Sequence, residues 1–563
     1  LNGVELPSPD PNKRAVALDL FPSSLLDNIN AVKTFSPDMA GNFSGGSVNI
    51  RTRAIPGNPT LKASLSGSCN PRVTFRDDFL TYEGGTTDWL GIDDGTRAVP
   101  EPLEDRSTEV PSLFSWPSWT SERDSALPVV LRLDTLSRAF SSGFHAEEQR
   151  AFPNHGGSFA VGNRFDMAGM PLGLLGSVTY SRKLKSFKDG KLVRWELKGH
   201  DSTKTRLDSN SLYLEDNSTD EVLWGTLANV GLDVTEDHKL ALLYMYSRNA
   251  EDETSYLIAP FHEDVDDHVS IEKRSIRYRQ RGLHFGLLEG SHGIPTDEGV
   301  LFEWKAAYSN TLQDEPDYRV ISNNKEVDDI TCDTASRGDT LFCDTTWKYP
   351  IQLSIYRPGF HAFRTINEEA GDVKFDVSVP FYQWTDDKGK VKAGMAWQQK
   401  RRSYVQREYE YEIDNWDNAN DAGKNLTDCE GDVEEYFAEE NLGLVDTTGV
   451  LPEFGNYLKY ENDTTPNHNG WQTIWAGYGM LELPLVTRFR LVGGVRYEST
   501  VMNVSSWDKT DTLNRGELVD DSWLPSVAGI FALTDKMNMR AAFSRTLARP
   551  TFREKARYVS EEL

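Results

Sequence analysis

The chain has 563 residues, with 60 Lys and Arg against 87 Asp and Glu, a formal charge of −27. An anionic field of that size argues against a nucleic-acid binder, because phosphate neutralisation needs clustered cations. Mean hydropathy is −0.53, and no apolar run approaches the roughly 20 residues of a membrane-spanning helix. A helical membrane protein is thereby excluded, whereas a β-barrel is not, since its lipid and lumen faces alternate and average to a polar composition. Aromatic residues reach 11% against 38% for all hydrophobic types, a tilt toward rings over aliphatics.

In chain order, Leu1-Asn2-Gly3 has neither the basic start nor the apolar stretch of a signal peptide, so the sequence reads as mature protein or a fragment. Residues 1–58 mix Pro-rich turns, a predicted short helix over Ser23–Ile29 and a predicted strand over Ser47–Thr52. This is an α+β unit too small to stand alone. Gly45 and Gly46 suit a backbone that turns, or packs where a Cβ would clash.

From residue 59 onward the period is two. Phe489, Leu491, Val495 and Tyr497 share one parity, and Arg490, Arg496 and Glu498 the other. Trp224, Ala228, Val230 and Leu232 oppose Asn229 and Asp233; the turn 235–238 then leads into Leu240, Leu242, Tyr244 and Tyr246, which predicts a hairpin. Further alternating runs cover Leu172 to Tyr180, Phe302 to Tyr308, Val373 to Phe381 and Met539 to Phe543. About 14 such segments follow residue 59, many longer than the usual 5–6 residues of soluble strands. Short polar turns near 386–389 and 534–536 alternate with long acidic stretches near 101–150, 201–220, 313–348 and 413–467, which are predicted loops. That asymmetry is how an outer-membrane barrel is strung. Runs that begin or end on Trp224, Tyr246, Tyr308, Phe381 or Tyr497 fit interfacial ring belts. Cys332 and Cys343 flank a short polar segment and could close a loop by a disulfide; Cys69 and Cys429 have no evident local mate.

The stretches LDLFPSSLLDNI, KTFSPDM and FSGGSVNIRTR in residues 1–53 resemble the second half of the plug domain of TonB-dependent outer-membrane receptors. FLTYEGGTTDWLGIDDGTRAVP (79–100), WKAAYSNTLQDEPDY (304–318) and MRAAFSRTLARPTFRE (539–554) resemble barrel signatures of one large branch of that family. The resemblance implies a mainly β fold, a transmembrane antiparallel β-barrel of about 22 strands around a plug. Here about 14 strands follow a partial α+β plug, with the plug portion at 1–58 and the incomplete barrel at 59–563. It also implies a coupling box before Leu1 and further strands after Leu563, so the chain reads as an internal fragment. The implied function is uptake of a scarce extracellular nutrient, an iron chelate, cobalamin or oligosaccharide, across the outer membrane of a Gram-negative bacterium. The implied partners are the lipid bilayer, a TonB-type inner-membrane energising complex and the ligand, with the presence of a lipoprotein lid left open; no nucleic acid and no cofactor is implied.

In that family, plug arginines pair with acids of the barrel wall, which makes Arg51 and Arg53, with Gly45 and Gly46, candidate plug–barrel contacts. Arg545, Arg549, Arg553 and Glu554 form a candidate lumen charge cluster beside Pro550, or a strand-to-loop boundary with surface charges. Trp416, Tyr436, Phe437 and Tyr457 lie in the long stretch 413–467 and are candidate ligand-binding rings; packing of the loop against itself is the competing reading. Asp88, Asp93 and Asp94 in TTDWLGIDDG offer oxygens to Ca²⁺ without EF-hand spacing, and His262, Glu263, Asp264 and His268 lack a zinc spacing, so no metal site is expected. No nucleophile elbow, HExxH, phosphate loop or Rossmann glycine pattern occurs, and no catalytic residue is expected. A soluble all-β enzyme acting on polysaccharide and a passive channel closed by 14 strands are the alternatives. In the closed channel, strands near 60–68 and 537–548 would pair.

Overall fold

The computed structural model describes residues 1–6, 26–52, 55–105, 108–113, 118–140, 143–197, 207–262, 269–295, 299–334, 341–350, 359–384, 387–413, 429, 431–448, 451–461, 466–507, 512–534 and 536–556. The N-terminal segment carries β1 (Leu26–Val32) and β2 (Ser47–Thr52), which form their own antiparallel pair with Ile29 opposite Ile50. Strand β2 lies where the sequence predicts it. Residues 26–29 are strand rather than helix: a helix this short stands poorly alone, whereas pairing with β2, broken only by a register shift at Asp27, gives the backbone partners across the ladder.

The remaining chain builds one antiparallel sheet. Its strands are β3 (Thr60–Ser68), β6 (Asn154–Met167), β7 (Met170–Glu196), β8 (Asp208–Asp233), β9 (His238–His262), β10 (Val269–Ile294), β11 (Val300–Thr334), β13 (Gly359–Phe381), β14 (Gly389–Ile413), β18 (His468–Val486), β19 (Phe489–Trp507), β20 (Leu513–Thr534) and β21 (Met537–Ser544), in that spatial order. Short β12 (Leu341–Lys348) and β17 (Asn456–Glu461) pair with β11 and β14, making 15 strands. An insertion between β3 and β6 holds β4 (Phe79–Thr81), α1 (Glu101–Glu104), α2 (Arg123–Ser137) and β5 (Glu147–Gln149). A second, between β14 and β18, holds α3 (Val433–Tyr436), β15 (Leu444–Asp446) and β16 (Glu453–Phe454) besides β17; α4 (Phe552–Lys555) follows β21. The end strands β3 and β21 do not pair with each other among the described residues, so the closed 14-stranded channel is not what this sheet forms. No described helix is long and apolar enough to cross a membrane.

The two faces are inverted relative to a soluble sheet. Along β19, Arg496, Glu498 and Thr500 are buried and Val495 is exposed. Along β9 and β14, Leu242, Tyr244, Val391 and Met395 are exposed. The exposed apolar stretches run from the short turns to a row of rings: Met170 to Tyr180, Trp224 to Asp233, His238 to Tyr246, Val300 to Tyr308, Gly389 to Trp397 and Phe489 to Tyr497. Each is about the 9–11 residues that a tilted strand needs to cross hydrocarbon. The rings contact one another across strands: Trp224–Tyr246 at 5.2 Å, Trp397–Trp475 at 6.2 Å and Tyr497–Trp523 at 4.9 Å between centroids. Tyr382 and Trp384, both exposed, mark the turn side.

Several strands extend far past this band, so two of the four predicted loops are corrected. Residues 208–220 belong to β8, and 313–334 with 341–348 belong to β11 and β12. Beyond the hydrocarbon no face must be apolar, so alternation fades in the sequence while the backbone ladder continues. Above the ring row, both insertions pack on the outer face of these extensions. Leu103, Phe140, Phe144, Tyr436, Phe437 and Leu458 cluster with Ile321, Tyr409 and Tyr411 of the wall.

Candidate functional site

The face opposite the exposed apolar band receives the N-terminal segment. Leu1, Val4 and Ile50 are buried against Leu227, Leu243, Met245, Leu283, Phe285 and Leu287 of β8–β10. Around this patch the contacts are polar. Asn2 donates to Glu289 at 3.3 Å and its carbonyl accepts from Lys305. Glu5 pairs with Lys400 at 3.1 Å, and Asp38 with Lys392 at 2.9 Å, while Lys374 donates to the Asp38 carbonyl at 2.9 Å.

The most enclosed contact centres on Glu498, which is 1% exposed. It accepts from the Gly41 N–H at 3.0 Å, from Arg496 at 2.6 Å and from Arg549 at 2.6 Å. Arg496 reaches the Pro37 carbonyl at 3.4 Å and Arg549 donates to Thr500 at 3.0 Å. The Leu547 N–H donates to the Gly41 carbonyl at 3.1 Å, so the stretch after β21 folds back over the same face. A Cβ on Gly41 would lie 2.3 Å from Leu524 Cδ1 and 2.7 Å from Glu498 Oε2. A larger residue there would require Leu524 and Glu498 to shift.

These positions revise the sequence expectations residue by residue. Arg51 is exposed and makes no ion pair with described residues, because Ile50 faces the wall and the strand period turns its neighbour away. Arg53 lies outside the described residues. The polarity is reversed: the segment supplies acids and the wall supplies lysines. Gly45, at φ +126°, has open space where a Cβ would sit, and Gly46 approaches only the Val32 carbonyl, so this pair makes the turn into β2 rather than a wall contact. The glycine that packs on the wall, Gly41, carries no sequence signal beyond its neighbours' small size.

Of the charge cluster, Arg549 alone is seen in the Glu498 contact. Arg545 is exposed, Glu554 closes a capping box with Thr551 at the start of α4, and Arg553 lies within α4. Tyr436, Phe437 and Tyr457 are buried in the packing of the second insertion, with Phe437 stacked on Phe144 at 4.8 Å, so they are core rings and not ligand-facing ones. Trp416 and the segment 263–268 lie outside the described residues. Cys332 and Cys343 are direct register partners of β11 and β12.

The segment TTDWLGIDDG sits on the outer face just above the ring row. Trp89, Leu90 and Gly91 offer successive carbonyls to Tyr180 Oη (2.8 Å), Trp224 Nε1 (2.8 Å) and Arg248 Nε (2.6 Å), on three adjacent strands. Arg97, 2% exposed, gathers Asp88 at 2.6 Å, Asp93 at 3.0 Å and the Tyr82 hydroxyl at 2.8 Å beneath the Tyr278 ring. Asp94 accepts from Thr86 and Thr96. The acids considered for Ca²⁺ thus serve an arginine and a turn, and no group of metal-ligating side chains occurs among the described residues. Burial, with the Asp88 and Asp220 carboxylates nearby, raises the Asp252 carboxyl to about 7 against the pull of Arg97.

An antiparallel meander with its apolar side outward, ringed by aromatics, and with a polar inner face holding a separate segment, defines a protein of the transmembrane β-barrel class. Residues 308–559 match the family described as TonB dependent receptor-like, beta-barrel. That stretch of the wall is similar to the β-barrel of TonB-dependent receptors, which supports an outer-membrane receptor or transporter. No curated protein matches the chain.

Proposed function

We propose that the chain takes up a scarce extracellular nutrient across the outer membrane of a Gram-negative bacterium, driven through a TonB-type inner-membrane complex. Residues 1–58 serve as part of the plug and residues 59–563 as barrel. The observation that carries this reading is the seat of the N-terminal segment. It rests on a small apolar patch surrounded by ion pairs and hydrogen bonds to backbone, contacts that can be exchanged for water when the segment is pulled. A wall that needed a permanent stopper would bury a larger apolar area. Iron chelates, cobalamin and oligosaccharides are the substrate classes. The test is growth of a deletion strain on each nutrient as limiting source, with and without a functional energising complex. Growth restored by the intact gene only when that complex works supports the proposal; growth on all three nutrients that ignores both the deletion and the complex refutes it.

A further inference from the structure

We propose that residues 86–97 form a collar on the outer rim of the wall that seats the Trp89 side chain in the headgroup region of the outer leaflet, making the first insertion a lipid-contacting element. The inference rests on the outer-membrane reading above.

The collar runs across the strands rather than along them. Its carbonyls at 89, 90 and 91 are held by Tyr180 of β7, Trp224 of β8 and Arg248 of β9, and the Asp93 N–H donates to Gln280 of β10 at 3.1 Å. The approach at 91 is close: Gly91 has φ +67°, and a Cβ there would lie 2.9 Å from the Ala250 Cβ. Tyr180 and Trp224 are the rings that end the lipid-facing stretches of β7 and β8. On the same face, toward the short turns, Leu174, Val178, Val230 and Leu242 are all exposed. The collar is therefore continuous with the apolar band, at the height where hydrocarbon gives way to headgroups.

All polar anchoring of the collar is by backbone or by the Arg97 cluster, which leaves the Trp89 side chain unused and 52% exposed. An indole at this height is the side chain that headgroup regions favour, apolar in body with one N–H for a polar partner. Phe152 in the same insertion, 72% exposed, lines a cavity of about 470 Å³ with His155 and Arg182, and His155 lies 6.0 Å from the Tyr180 ring. A second exposed ring thus lines a cavity with the histidine that neighbours the belt residue Tyr180. With a net charge of −27, attachment to an anionic leaflet falls to rings rather than to a general cationic field.

The test places a cysteine-linked, environment-sensitive fluorophore at Trp89→Cys in the Cys69→Ser full chain, reconstituted in lipid vesicles, with signal from the parent lacking residue-89 thiol subtracted. Met395→Cys, on the exposed apolar face, reports lipid, and Leu451→Cys, exposed in the second insertion, reports water. The expected result at 89 is emission blue-shifted from that at 451, quenched by lipid carrying a nitroxide near the headgroup and spared by iodide. Quenching by iodide as complete as at 451, with no lipid effect, overturns the proposal. Protection from both quenchers means that a lid protein or a second copy covers the collar, and also overturns it. If Met395→Cys itself escapes lipid quenching, the membrane reading fails and the collar proposal with it. Because labelling could perturb the rim, unlabelled Trp89→Phe is the second variant. Among 14 tryptophans, it should remove a measurable share of the emission that brominated lipid quenches, and an unchanged share overturns the proposal.

Discussion

Glu498 joins three parts of the chain at one carboxylate: the Gly41 backbone, the wall through Arg496, and the stretch after β21 through Arg549. Replacing it with Gln keeps the shape but leaves two buried guanidinium groups beside a neutral amide. Breaking a buried pair in this way costs about 3–5 kcal/mol. We expect Glu498→Gln to lower the denaturation midpoint and to speed trypsin cleavage at Lys33, already exposed on the segment that Glu498 holds; cleavage rates equal to the native protein would refute the role. Gly41→Ala should release the same segment with every charged side chain retained, because its Cβ would meet Leu524 Cδ1 and the Glu498 carboxylate. Asp252 makes a pH prediction above the ring row. Its folded pKa of about 7 lies above its ordinary value of 3.8, so between those two values the folded state holds a proton that the unfolded state has lost. Stability therefore falls as pH rises through that window. The collar should resist proteolysis better near pH 5 than near pH 8, and Asp252→Asn should flatten the difference.

At the scale of elements, parity explains both what the sequence revealed and where it misled. Strand β2 was readable from its composition, yet which face met the wall was not: Ile50 fills the apolar patch, and Arg51 points away for the same reason. The 15-residue α2 was hidden inside a stretch read as loop, although Ala126, Val130, Leu133 and Leu136 recur at helical spacing and are all buried. The long strand extensions were hidden because backbone pairing needs no apolar side chains. Their register places Cys332 opposite Cys343, a pairing whose Cα separation of roughly 4.5–5.5 Å falls within the span of a disulfide. Under oxidising conditions we expect no thiol labelling at 332 and 343 until a reductant is added, with Cys69 labelled throughout; free reactivity at 332 or 343 would count against the bridge.

For the whole molecule, the N-terminal segment and the wall communicate through pairs far apart in sequence, and the Asp38–Lys392 contact isolates one of them. Lys392→Asp should loosen the segment, and adding Asp38→Lys should restore its protection, since the exchange rebuilds the pair with its sign reversed. A double variant no better protected than the single one would show that the local field, not the pair, matters. The side-chain distribution makes sense only at this scale. The same two-residue period that would bury leucines in a soluble sandwich here presents them to lipid, and the burial of Arg496 and Glu498 is tolerated because each has its partner.

The residue order alone determined the strand period, the short turns and the rings at the strand ends, because each is local and repeats along the chain. Tertiary structure alone decided which charges meet, that Gly41 and not Gly45 lies against the wall, that Tyr436 and Phe437 are core, and that the TTDWLGIDDG segment wraps the rim. Those outcomes depend on contacts between residues tens to hundreds of positions apart. A period of two states only that a side chain faces one way or the other, and is silent on what stands opposite.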